Sequence, residues 1–90
     1  MKVYRIYTED KNFKKIVKET SARVSGVTFF HGVGLYNNEQ EKSLVIEIVS
    51  TPDNEKTLEN TVKDLAHAIK VLNWQWSVLI TVQEVQSWAI

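Results

Sequence analysis

The 90-residue chain has no cysteine, one proline and three glycines, and its eleven basic and eleven acidic side chains cancel. Each scarcity excludes something. Without cysteine there are no disulfides, thiolate zinc sites or cysteine nucleophiles. Zero net charge removes the positive field of a general nucleic-acid binder, so any electrostatic site is local and nucleic acid is not an expected partner. No apolar run approaches the roughly 18 residues that span a bilayer, and the opening MKVYRIYTED turns polar too soon for the core of a signal peptide. The expectation is a cytoplasmic protein without a membrane partner. Residues 1–90 make one domain with a modest core, to which self-association would add burial.

What the sequence does contain is six periodic segments without a linker. Lys2 to Thr8 is rich in β-branched and aromatic residues and reads as a strand. From Asp10 to Val24, Phe13, Ile16, Val17, Thr20 and Val24 recur at helical spacing. Val27 to Tyr36 and Ser43 to Ser50 read as strands joined by the polar loop NNEQEK. Thr51 is placed to cap a second helix with Pro52 at its first position, and Leu58, Val62, Leu65, Ala66, Ile69 and Leu72 form its apolar stripe. Trp76 to Val85 alternates as a fourth strand. The order β-α-β-β-α-β predicts an α+β ferredoxin-like sandwich, a four-stranded antiparallel sheet with two helices on one face. Leu44, Ile46 and Ile48 then face the helices, and Val45, Glu47 and Val49 face away. That second face is more apolar than a wet sheet needs, which points to cover by another subunit.

HGVGLY, a polar turn, EKSLVIEIV, a helix ending AIKVLN and the closing VLITVQEV together resemble the small PII-like or CutA-like ferredoxin-fold proteins. More narrowly, the glycine pair before an aromatic, the SLVIE strand and the LNWQ turn resemble short uncharacterised proteins of bacteria and their phages. The PII resemblance implies a homotrimer that binds nucleotides or small effectors in clefts between subunits, beside the loop joining the second and third strands. Here that loop, Asn37 to Lys42, is much shorter, and the glycine-rich phosphate-contacting segments of PII proteins are missing.

The candidate ligand-binding residues are His31, Gly32, Gly34 and Tyr36 at the hairpin end, Trp74 and Gln75 at the turn into the last strand, and Arg5, which has Glu47 as a possible strand partner. A titratable ring, a phenol and exposed backbone suit a small planar or anionic molecule, including a nucleotide. The competing explanation is a bent strand with a satisfied histidine. Lys11, Lys14, Lys15 and Lys18 form a stripe that reads as a solvated helix face. His31 and His67 show no metal-ligand spacing, no nucleophile elbow is present, and neither a cofactor nor a catalytic residue is expected. The sequence thus favours a non-enzymatic, oligomeric small-molecule binder, conceivably a phage sponge for a nucleotide defence signal. The alternative is a structural or protein-interaction module using the sheet face and the C-terminal tail.

Overall fold

A computed structural model describes residues 1–90. The elements are β1 (Lys2–Glu9), α1 (Phe13–Ser21), β2 (Thr28–Tyr36), β3 (Glu39–Val49), α2 (Leu58–Asn73) and β4 (Leu79–Glu84). They form one antiparallel sheet of order β2-β3-β1-β4, the ferredoxin-like arrangement the alternation predicts. Tyr4, Ile6, Leu44, Ile46 and Ile48 from the two central strands meet Ile16 of α1 and Leu58, Val62, Leu65, Ala66 and Ile69 of α2 in a single buried cluster. No helix is long and apolar enough to cross a membrane.

Several boundaries differ from the sequence reading, α1 ending at Ser21 and β4 starting only at Leu79, and three of the differences have a clear local reason. Residues 52–57 form turns and Thr57 takes the N-cap position, so Thr51 does not cap α2 and Pro52 is not its first residue. Instead, the Thr51 backbone N–H donates to Asn54 Oδ1 (2.7 Å), a side-chain bond that offers the backbone an alternative to a helix. At the other end, α1 starts three residues later than read, after Asn12 in a left-handed conformation (φ 59°). The loop NNEQEK contracts to a two-residue turn. Asn37 and Asn38 both have positive φ (50° and 64°), the signature of a type I′ turn whose twist matches paired strands. The hairpin therefore runs on to the turn, with Gly34 opposite Glu41 and Gly32 opposite Ser43. Val33, Leu35 and Tyr36 project well beyond the core and are exposed.

The face turned away from the helices carries an apolar row across all four strands. Phe30, Val45, Tyr7 and Leu79 are register neighbours in that order. Beside it runs a polar row, in which Arg5 Nε donates to Glu47 Oε2 (2.9 Å) and its Nη1 to Gln83 Oε1 (3.2 Å). Arg5 is thus committed to its strand neighbours.

Candidate functional site

The alternation of strand side chains divides the sequence-derived candidates between two faces. His31 lies opposite Leu44 on the helix side. There its Nδ1 sits 2.7 Å from Asp10 Oδ2 and its ring meets Phe13 edge-on, with centroids 4.6 Å apart. Gly32, Gly34 and Tyr36 fall on the opposite face. The structure therefore separates His31 from the three residues that follow it, and places Arg5 in the polar row rather than beside them.

A cleft of about 390 Å³ lies where that outer face meets the turn after α2. Its lining includes Tyr7, Tyr36, Glu41, Ser43, Gln75 and Trp76. Tyr36 and Gln75 are the two sequence candidates that line it. The other glutamate in the lining, Glu9, is paired with Lys11 (3.2 Å). Glu41 makes neither an ion pair nor a side-chain hydrogen bond. No lysine or arginine lines the cleft. Its field therefore favours a ligand that carries positive charge, and its tyrosine and tryptophan rings suit both a planar base and a cation. The small anionic or nucleotide ligand expected from the sequence finds no cationic side chain in this cleft.

Gly34 faces Glu41 across the hairpin. Both glycines have ordinary negative φ, so neither is needed for backbone conformation. A Cβ built on Gly34 would stand 3.4 Å from Glu41 Cγ and 3.5 Å from its Oε1, whereas one on Gly32 would be 3.7 Å from Ser43 Oγ. The Glu41 stem thus lies across the β2 backbone where a side chain is missing. Gly32→Ala and Gly34→Ala are both expected to fold with stability within about 1 kcal/mol of the parent, as thermal melts would show.

The second wall is set by the end of α2. Gln75 N–H donates to the Lys70 carbonyl (3.0 Å) and Trp74 N–H to that of Val71 (3.3 Å), a Schellman closure with tryptophan at the position glycine usually takes. Trp74 has φ 56° and is 93% exposed, so its left-handed backbone is not offset by burial. Trp74→Gly is expected to raise stability by about 1 kcal/mol, a gain of roughly 4–8 °C in Tm for a domain of this size. Differential scanning calorimetry would check it. Trp74 lies with Lys70, Val71 and Trp76 along a separate depression, and the exposed Trp76 also borders the cleft. A second depression of about 360 Å³, between α2 and β4, includes Lys63, His67 and Lys70 in its lining, but no network of fixed polar groups backs it.

No family model matches the chain, and no curated protein does. Solved structures do. A phage SAM lyase in complex with S-methyl-5′-thioadenosine superposes with a TM-score of 0.73 at 17% identity, over 92% of this chain and 80% of that one. B. subtilis GlnK in complex with ATP gives a TM-score of 0.62 at 28% identity, over 93% and 80%. This is the PII-like ferredoxin fold. A DUF3240 family protein from Shewanella baltica OS155 shares the PII-like fold at a TM-score of 0.66 and 11% identity, over 99% and 94%. The expectation that the chain is not an enzyme is corrected by the first of these likenesses, because an enzyme has this fold over nearly the whole chain. The complexes with S-methyl-5′-thioadenosine and with ATP make this a fold that carries small-molecule sites.

Proposed function

We propose that the protein binds an adenosyl sulfonium compound of the S-adenosylmethionine type in the cleft beside Glu41, and cleaves its carbon–sulfur bond. The observation that carries this reading is the free Glu41 carboxylate among Tyr7, Tyr36 and Trp76, with no cationic side chain in the lining. A sulfonium ligand supplies the missing positive charge, and its adenine supplies a face for the aromatic rings. The lyase likeness supports the choice of ligand, since S-methyl-5′-thioadenosine is the neutral thioether left when the sulfonium loses its amino-acid chain. In that cleavage the carbon–sulfur electron pair returns to sulfur. Glu41 takes a proton from the carbon adjacent to the one released, and the C–H electrons form the new double bond. Incubation with S-adenosylmethionine, followed by chromatography, should show S-methyl-5′-thioadenosine accumulating above the rate without protein. No excess product would refute the cleavage.

The cleft is open on its outer side, where Trp76 is 97% exposed, and it adjoins the apolar row of Phe30, Val45, Tyr7 and Leu79. A second copy of the chain laid on this face would close it, so the protein is proposed to act as a homo-oligomer, a trimer by the PII resemblance. Trp88 and Ile90 at the C-terminus are exposed as well and gain cover from the same assembly. Deleting Ser87 to Ile90 is expected to lower the Tm of the assembled protein by several degrees. An unchanged melt would leave the tail outside the interface.

A further inference from the structure

Behind the cleft lies a relay of side chains drawn from distant parts of the sequence. Asn73 is wholly buried. Its Nδ2 donates to the Glu9 backbone carbonyl (3.4 Å) and to Gln75 Oε1 (3.3 Å), while its Oδ1 accepts from Asn12 Nδ2 (3.1 Å). The Thr8 hydroxyl also bonds to Gln75 Oε1.

The orientation of each amide follows from what its neighbours can do. A backbone carbonyl only accepts, so the end of Asn73 beside Glu9 is its NH2 group. The Gln75 atom facing that NH2 group must then be its carbonyl oxygen. Thr8 therefore donates, and both lone pairs of Gln75 Oε1 are occupied. Gln75 Nε2 has no partner in the chain, and Gln75 lines the cleft. An unconstrained glutamine offers either a donor or an acceptor by turning its amide over, but this one can offer only a donor.

We propose that Gln75 is a fixed hydrogen-bond donor that selects an acceptor atom on the ligand, and that Thr8 and Asn73 are positioning residues that hold it in that role. The proposal rests on the cleft being the ligand site. It narrows the substrate class, because two-point pairing of a carboxamide with both a donor and an acceptor of adenine is excluded. What remains is a lone acceptor, a purine ring nitrogen or a carboxylate oxygen. An analogue presenting an N–H at the contacted position is rejected, since its donor would face a donor.

Two uncleaved probes separate these sources. S-adenosylhomocysteine carries an amino-acid carboxylate, and S-methyl-5′-thioadenosine lacks one. Gln75→Glu keeps the shape and the bonds from Thr8 and Asn73 but replaces the donor with an oxygen. It is expected to weaken S-adenosylhomocysteine at least tenfold by calorimetry. An equal loss for S-methyl-5′-thioadenosine places the acceptor on the nucleoside, and an unchanged affinity for it places the acceptor on the carboxylate. Thr8→Val removes one of the two bonds that hold the amide and leaves the one from Asn73, and is expected to weaken binding about threefold. A ligand-free measurement stands beside these. The Gln75 side-chain amide should have an NMR order parameter near that of the backbone, about 0.85, and a lower one in Thr8→Val, where one of its two bonds is lost. A mobile amide in the parent protein, or Gln75→Glu binding both probes as the parent does, overturns the proposal. A parent protein with a rigid amide that binds neither probe and does not bind S-adenosylmethionine overturns the reading of the cleft instead, and with it the donor role.

Discussion

Glutamine in place of Glu41 is expected to reduce formation of S-methyl-5′-thioadenosine at least a hundredfold while leaving the melt unchanged. The stability half of the expectation follows from the position. Glu41 is exposed on the projecting hairpin, with no ion pair and no side-chain hydrogen bond to lose. The functional half follows from charge. A charge-assisted contact is worth about 1.5–3 kcal/mol, or roughly 10- to 150-fold in affinity, and loss of a general base costs about 10²–10⁴ in rate. The amide retains the shape of the carboxylate and none of its basicity. Turnover equal to that of the parent would remove Glu41 from the chemistry.

Lysine in place of Val45 is expected to convert the assembled protein to monomer at micromolar concentration, as read by light scattering. Val45 stands between Phe30 and Tyr7 in the apolar row, at the centre of the face assigned to a second copy. In the monomer a lysine there extends its ammonium into water, with its methylenes lying over the neighbouring rings. The fold itself is little disturbed. In the assembly the same ammonium is confined between two apolar faces without a partner, which costs several kcal/mol. A shift of more than a hundredfold in the dissociation constant follows. A parent chain that is monomeric under these conditions, or a Val45→Lys chain that assembles as the parent does, would contradict a subunit interface on this face.

The fold was legible because the apolar periodicities are strong. Leu44, Ile46 and Ile48 announce a half-buried strand, and the stripe from Leu58 to Leu72 announces a helix, whatever surrounds them. The site was less legible, and one turn accounts for much of the loss. With NNEQEK taken as a loop, Glu41 belongs to solvent and Gly34 has no partner. Counted outward from a two-residue Asn-Asn turn, the same sequence pairs Gly34 with Glu41 and Gly32 with Ser43, and alternation then sends His31 to the other face. The place of Tyr7 in the cleft is hidden in the sequence for a different reason. Alternation within β1 places it outside, but its proximity to Gln75 and Trp76 depends on β4 pairing with β1, a contact between the two ends of the chain. The relay through Thr8, Asn12, Asn73 and Gln75 is likewise invisible in sequence, because nothing local distinguishes a buried asparagine from a capping one.

The central claim, that the cleft beside Glu41 holds an adenosyl sulfonium ligand, is tested most directly by the indole N–H signals of the three tryptophans during titration of ¹⁵N-labelled protein with S-adenosylmethionine. Trp76 lines the cleft, Trp74 is outside its lining in the neighbouring depression that Trp76 also borders, and Trp88 lies in the tail. The account predicts a saturable shift at Trp76 larger than that at either of the others, and its loss in Glu41→Gln. A Trp76 signal that stays in place up to millimolar ligand would contradict it.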